Sequence, residues 1–204
     1  FILVQNLIIL ALIGVYGDIR RFIPSMDKAF VLMAEQWYGL PADVRDGTFA
    51  LYRRACVMYE TEHGLADFDF ERLRMPCGYI QGCPLSTEKA KIFLSTLAEA
   101  LDTLAGAGGI RLWNGRHGDG ARVTSTFCAD DLLGLVTCWS AATTFVETLD
   151  QWAQVTASAF GIDECSKTTF TAVAFDASNR PVEAPEAWAA RPCVHGTPLP
   201  RLPI

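Results

Sequence analysis

The sequence predicts an α+β fold in which a split βαβ pattern forms an antiparallel sheet with helices packed on one face. Two observations lead to this prediction. The predicted elements follow the order strand, helix, paired strands, helix, strand. The two longest helical segments, 86 to 105 and 141 to 160, each repeat apolar residues at helical spacing, so each needs a surface to cover.

The composition fits a globular chain with one main core. Half of the 204 residues are apolar and a fifth are charged, and this length can bury a sizeable core. The net charge of −6 argues against a general electrostatic nucleic-acid coat, which would be basic. It leaves open a metal-dependent enzyme acting on phosphates, because carboxylates that hold metals are themselves acidic.

The chain opens with the apolar run "FILVQNLIILALIGVY", which predicts a buried core helix. The run is shorter than the roughly 20 residues of a membrane-spanning helix, so we expect no stable membrane association. Arg20 and Arg21 follow the run, whereas a signal peptide carries its basic residues in front. The first residue, Phe1, and the ending "LPRLPI" suggest a piece of a longer protein.

The next elements are shorter. "RRFIP" is a strand candidate closed by Pro24, and "KAFVLMAEQWYGL" predicts a helix ending at Gly39. Pro41 opens another helix through "DVRDGTFALYRRA". "CVMYET" and "LADFDFERL" predict a strand pair that turns at 63–64.

In the second half of the chain, predicted helices and strands alternate. Ser86 is the predicted cap of a helix that the glycines near 106 end. Strands around "IRLW" and "RVTSTF" lead through Asp130 and Asp131 into "LLGLV". A helix then ends at Gly161, and "TTFTAVAF" is the last strand. The apolar face of that helix comprises Phe145, Leu149, Trp152 and Val155.

The seven cysteines form no CxxC pair, which argues against a zinc site. Their spread through apolar segments predicts reduced, mostly buried thiols. We therefore expect an intracellular, reducing location, either nucleus or cytoplasm.

Two adjacent carboxylates in "FCADDLLGL" (127 to 135) need a special environment. Buried, unpaired anions are strongly unfavourable, and neighbouring ones repel each other. Asp130 and Asp131 should therefore lie on a solvated turn or against a cation.

Three stretches together resemble the reverse transcriptase palm of the non-LTR (LINE) retrotransposon and group II intron type. "MPCGYIQGCPLST" (75 to 87) is similar to G-x-x-Q-G-x-P-L-S-P, "FCADDLLGL" to (Y/F)-A-D-D, and "FGIDECSKTTF" (160 to 170) to G-L-x-x-N-x-x-K-T. "SMDKAF" (25 to 30) resembles the first motif, D-x-x-K-A-F-D. The resemblance implies a palm-like sheet, with residues 1–176 as fingers and palm and 177–204 as a Pro-rich tail leading towards a thumb.

The resemblance implies template-directed DNA synthesis by two-metal nucleotidyl transfer. Asp130 and Asp131 would be catalytic and hold two Mg²⁺ ions, with Mn²⁺ as an alternative, and Lys167 would protonate the leaving pyrophosphate. Gln81 and Gly82 would bind the nucleotide, and Phe30 would exclude a ribose 2′ hydroxyl. The implied partners are an RNA template, a DNA primer, dNTPs and the rest of a retroelement protein, including a thumb and an endonuclease.

The first motif departs from the family pattern. Ser25 stands where the family has its first metal-binding aspartate, and Asp27 is the substitute closest to it. On the predicted strand, Asp27 would share a face with Ser25 but lie about 6 to 7 Å along it. The alternative interpretation is therefore an inactive reverse transcriptase remnant or a nucleic-acid-binding module. As it stands, the chain should synthesise DNA very weakly or not at all, and Ser25→Asp with a thumb restored should recover metal-dependent synthesis.

Overall fold

The computed structural model describes residues 11–53, 60–62, 64–65, 78–80, 83–112, 121–161, 168–176, 178, 180–182, 192–194 and 196–202. Contacts divide the chain into two compact units, residues 1–20 with 97–204 and residues 21–96. The strands are β1 (Ala11–Asp18), β2 (Glu60–Thr61), β3 (Gly64–Leu65), β4 (Ile110–Leu112), β5 (Ala121–Val123), β6 (Ser125–Cys128), β7 (Asp131–Val136), β8 (Thr169–Phe175), β9 (Pro181–Val182), β10 (Cys193–Val194) and β11 (Thr197–Pro198). The helices are α1 (Phe22–Ser25), α2 (Lys28–Trp37), α3 (Ala42–Arg53), α4 (Pro84–Leu104) and α5 (Trp139–Thr156).

The first unit contains a five-stranded antiparallel sheet in the order β6-β7-β1-β8-β9. Its central strand, β1, pairs with β7 on one side and β8 on the other. The same unit contains the two-stranded pairs β4-β5 and β10-β11, whereas β2 pairs with β3 in the second unit. The predicted α+β class with an antiparallel sheet is confirmed.

The N-terminal helix prediction was wrong for residues 11–18, which form β1. Gly14 and Gly17 weaken a helix, whereas the β-branched Ile13 and Val15 and the aromatic Tyr16 fit a strand. Ile13 and Val15 are fully buried, and β1 hydrogen-bonds to a neighbour along each edge. A continuous apolar run is as typical of a central strand as of a buried helix, so the pattern alone did not decide.

Helix α5 packs against β1 and β7 and covers one face of the sheet. Phe145, Leu149 and Trp152 are buried as predicted, but Val155 is 73% exposed. At 3.6 residues per turn Val155 lies about 180° from Val146, which is 1% exposed, so Val155 falls outside the buried face. The helix ends at Ala157, whose φ is 53°, and so stops before the predicted end at Gly161.

Gly134 lets α5 approach β7 closely, and this contact predicts the effect of adding a methyl group. A Cβ at Gly134 would lie 2.2 Å from Phe145 Cζ. Gly134→Ala should therefore lower the free energy of unfolding by about 1–3 kcal/mol, the usual effect of overpacking. Urea unfolding measures it. Gly47→Ala is the control, because nothing lies within 4 Å of that helical position and alanine should stabilise the helix by about 0.5–1 kcal/mol. Equal effects at both positions would contradict the close packing.

The second unit differs from the predictions at two places. Residues 22–25 form the helical turn α1 rather than a strand, after Arg21 turns the backbone with a φ of 46°. Helix α4 begins at Pro84, a residue suited to the first helical position, so Ser86 is inside the helix and is not its cap. The predicted α2 and α3 are confirmed, with Gly39 at a φ of 75° directly after α2.

A buried ion pair, which the sequence did not predict, joins the helices of this unit. Lys89 of α4 bonds Glu35 of α2, and the side chains are 6% and 2% exposed. The Lys89 ammonium also donates to Thr48 Oγ1 of α3 at 2.7 Å. Beside it, the Phe22 and Phe30 rings contact Phe93, with centroids 6.0 and 5.5 Å apart.

The remaining predictions fall on α4 and the shorter segments. Most of the predicted apolar positions of α4 are buried, but Leu104 is 56% exposed, and a 3-10 turn at Gly106–Gly108 follows the helix. The strand pair around 110 and 122 is confirmed as β4 and β5. Most of the predicted pair around 63–64 lies outside the described residues, apart from β2 and β3.

The described residues of the C-terminal tail form short pairings: β9 and residues 200–202 pair with β8, whereas β10 and β11 pair with each other. β9 extends β8, and the Phe170 N–H donates to the Pro200 carbonyl at 3.0 Å. The Leu202 N–H donates to the Phe170 carbonyl at 2.8 Å. Leu199 is fully buried.

The four described cysteines carry free thiols. Cys83 is half-buried, whereas Cys128, Cys138 and Cys193 are exposed, so the expectation of mostly buried thiols was wrong for them. Each lies at the end of an element or next to one, where the backbone meets solvent. Across the described ranges, no helix combines the length and apolarity needed to cross a membrane.

Candidate functional site

The two adjacent carboxylates occupy a tight β-hairpin. Cys128 and Asp131 are paired, so Ala129 and Asp130 form a two-residue turn between β6 and β7. Ala129 has a φ of 55°, a left-handed conformation that is costly for a residue with a Cβ. Asp130 and Asp131 are both exposed. The hairpin thus presents both carboxylates at one end of the sheet.

A third carboxylate, Asp18, lies at the same end. It is the last residue of β1 and pairs directly with Asp131, so the two side chains share one face of the sheet. Cβ atoms of directly opposed residues are about 4.5–5.5 Å apart. The Ile19 N–H donates to the Asp130 carbonyl at 3.2 Å, which ties the end of β1 to the hairpin turn.

The sequence analysis did not identify Asp18. The apolar run was interpreted as a helix, and in a helix Asp18 would only be a polar residue near its end. The available signal was Val15 and Tyr16, which favour a strand, together with the two glycines, which disfavour a helix. The cross-strand position of Asp18 could not be predicted, since register depends on residues about 110 positions away.

The geometry of the hairpin also includes the face of the sheet to which its side chains point and a cleft on that face. Gly134 faces α5, so Asp131 and Leu133, at odd positions of β7, point to the face opposite α5. A cleft of about 630 Å³ lies on this face, with Asp131, Cys128 and Tyr16 among its lining residues. One carboxylate of the hairpin therefore borders a cavity large enough for a small molecule.

Ser25 and Asp27 do not lie on a strand, in contrast to the prediction. Ser25 ends α1, and its hydroxyl donates to the Phe22 carbonyl at 3.0 Å. Asp27 caps α2, with its carboxylate accepting from the Phe30 N–H at 2.7 Å. The shared strand face proposed for these two residues therefore does not exist, because capping and helical geometry determine both positions.

The other predicted residues are only partly described. Phe30 is half-buried in the first turn of α2, where its ring meets Phe93 edge-on. Gln81, Gly82 and Lys167 lie outside the described residues. Ser25, Asp27 and Phe30 belong to the second unit, whereas Asp18, Asp130 and Asp131 belong to the first.

The donor set at the hairpin suits a hard cation. Carboxylate oxygens are the ligands that Mg²⁺ prefers, and a cation between Asp18 and Asp131 would reduce the repulsion of directly opposed like charges. Within the described ranges, no three His, Cys, Asp or Glu side chains already form a group that could hold a metal. The backbone provides one pair of directly opposed carboxylates and a third carboxylate on the adjoining turn.

A second polar cluster follows the predicted nucleotide-binding turn. The Cys83 thiol and the Tyr52 hydroxyl are 2.9 Å apart, and the Ser86 hydroxyl is 3.3 Å from that of Tyr52. The hydrogen bond from Tyr52 lowers the pKa of the Cys83 thiol, and the backbone N–H groups of Leu85 and Ser86 lower it further. Burial raises the pKa of Tyr52. Among the four described cysteines, Cys83 is therefore the thiol that this hydrogen bonding favours as a thiolate.

This cluster predicts the pH dependence of alkylation at Cys83. Because the lowered pKa increases the thiolate fraction, the iodoacetamide rate at Cys83 should reach half its maximum at a lower pH than the rate at the cysteine of a short unstructured peptide in the same reaction. Tyr52→Phe removes the hydroxyl donor and should move the Cys83 profile to higher pH. Peptide mass spectrometry resolves the two sites. Identical profiles in the parent chain and Tyr52→Phe would contradict the role of the hydroxyl.

The chain matches no protein-family model and no curated protein. Any function proposed for it therefore rests on its own residues.

Proposed function

We propose that this chain is the palm-like core of an RNA-directed DNA polymerase that extends a DNA primer along an RNA template using dNTPs. The observation that carries the proposal is the pairing of Asp18 with Asp131 beside the Asp130 turn. Carboxylates from two separate strands meet there, as two-metal nucleotidyl transfer requires. The sequence resemblance at 75–87, 127–135 and 160–170 supports the same activity.

The assignment of the first carboxylate differs from the one made from the sequence. Asp18, Asp130 and Asp131 would hold Mg²⁺ or Mn²⁺, and Ser25 is not needed as a ligand. Bound cations would neutralise charge on the reacting phosphates. Lys167 as proton donor, and Gln81 and Gly82 as nucleotide contacts, remain part of the proposal.

The sheet supports a palm-like arrangement. One face is covered by α5, while the other carries Asp18 and Asp131 and is lined by a cleft. In this proposal the substrate approaches the carboxylates from the face opposite α5. The thumb, an endonuclease, and an intracellular location in a larger retroelement protein belong to the same proposal.

An inactive remnant is the second candidate, and it is favoured by the lack of a ready three-ligand group among the described side chains. Primer extension by the full chain on a primed RNA template, with Mg²⁺ and with EDTA, separates the two candidates. We expect metal-dependent incorporation of dNTPs. Broadening of the Asp18 and Asp130 backbone NMR signals by Mn²⁺ provides a readout that does not need turnover. No incorporation and no broadening would establish the remnant.

A further inference from the structure

Helix α2 of the second unit is inverted relative to an ordinary surface helix, which turns its charges to water and its apolar side to the core. All ten of its residues are described, and both of its charged side chains, Lys28 and Glu35, lie on the buried side, 8% and 2% exposed. Its exposed side comprises Ala29, Met33, Gln36 and Trp37. These four positions fall within about 100° of the helix circumference, so they form one continuous stripe, the α2 stripe.

The α2 stripe leaves large apolar side chains in water. Trp37 is 77% exposed and Met33 is 60% exposed, one turn apart on the helix. The next three residues, 38–40, carry no charge either. Single exposed apolar residues are common, but neighbouring ones on an uncharged helix face form a patch of the kind that contacts another protein. Tryptophan and methionine are enriched in such interfaces.

The charge of the α2 stripe fits a second copy of the same stripe. A two-fold symmetric interface brings the same patch to both sides, so a charged residue near the axis would face a like charge. The described side chains of the α2 stripe carry no charge, so two copies can approach each other without this repulsion.

The sizes of the side chains fit the same arrangement. Ala29, Met33 and Trp37 form an i, i+4, i+8 ridge along α2, with a small residue at one end and a large one at the other. If two copies of α2 cross antiparallel at Met33, the Trp37 ring of one copy lies over Ala29 of the other. Large side chains then meet small ones at both ends of the contact, as close packing requires.

We propose that the α2 stripe is the contact surface of a symmetric dimer of this chain, in which the two helices cross antiparallel with the Met33 side chains at the two-fold axis. The dimer goes beyond the proposed polymerase function and needs neither metal nor nucleic acid. Its interface buries on the order of 1,000 Å² in total, the low end for specific contacts, so the dissociation constant is about 10–100 μM.

Sedimentation equilibrium of the full chain over about 5–500 μM measures the dimer. Met33→Glu places two like charges at the axis and should raise the dissociation constant about tenfold or more, and Met33→Lys should do the same. An equimolar mixture of these two variants should dimerise again, because opposite charges then meet. Val155→Glu and Val155→Lys are the controls and should leave dimerisation unchanged, since Val155 is 73% exposed on α5 in the other unit. Circular dichroism checks that each variant folds like the parent chain.

Two further variants test the antiparallel register. Ala29→Trp should weaken the dimer, because two tryptophans then meet at each end of the contact. Ala29→Trp combined with Trp37→Ala exchanges the large and the small side chain and should recover it.

Three results would overturn the proposal: a monomeric parent chain at the highest concentration, equal effects of the Met33 and Val155 substitutions, or no recovery in the exchanged variant. A monomer would show that the α2 stripe serves a different partner or none. Because no turnover is measured, such a failure leaves the polymerase proposal standing.

Discussion

Asp18→Asn is expected to lower the rate of dNTP incorporation by about 100-fold or more. The substitution keeps the size of the side chain and the backbone bonds of β1 but removes one of the two opposed charges at the hairpin. A loss of about 2.7 kcal/mol in stabilisation of developing charge corresponds to 100-fold in rate. Single-nucleotide incorporation on a primed RNA template, with Mg²⁺ varied, is the measurement. The apparent Mg²⁺ affinity should fall together with the rate.

Two further variants make this result decisive. Asp102→Asn removes an exposed carboxylate from α4 and should leave the rate unchanged. Ser25→Asp tests the assignment made from the sequence, and we expect no gain, because Ser25 ends a helical turn. A large gain in Ser25→Asp with no loss in Asp18→Asn would show that the first carboxylate position is at residue 25. Should the parent chain not turn over, broadening by Mn²⁺ compares the same variants.

Glu35→Gln is expected to lower the free energy of unfolding by about 3–5 kcal/mol. Glu35 and Lys89 are buried, so the neutral amide leaves the Lys89 charge without a compensating anion. Thr48 would still accept from the ammonium but carries no charge. Urea unfolding followed by circular dichroism measures the loss.

Two control variants distinguish the effect of breaking a buried ion pair from the effect of breaking an exposed one. Lys91→Met breaks the exposed Lys91–Glu88 pair and should cost less than about 1 kcal/mol. The double variant Glu35→Leu with Lys89→Met replaces both charges with apolar groups and should recover most of the stability. If Glu35→Gln lowers the free energy of unfolding by no more than Lys91→Met does, the Lys89–Glu35 pair is not buried in solution.

The helices and the hairpin could largely be predicted because their signals are local. Gly39 and Pro41 mark where α2 ends and α3 begins, and the apolar spacing of α5 identifies its buried face. The features that were predicted wrongly depend on tertiary contacts. Ser86 is buried beside Tyr52 instead of capping α4, and Val155 lies just outside the face that the sheet covers.

The sequence by itself determined the α+β class, the long helices and a tight turn at the two adjacent aspartates. Tertiary structure alone decided that residues 11–18 are a strand, that Asp18 stands opposite Asp131, and that Lys89 is buried against Glu35. The physical reason is the same for each. Strand register and buried ion pairs arise from contacts between residues far apart in the chain, and no local pattern encodes which distant residue will be the partner.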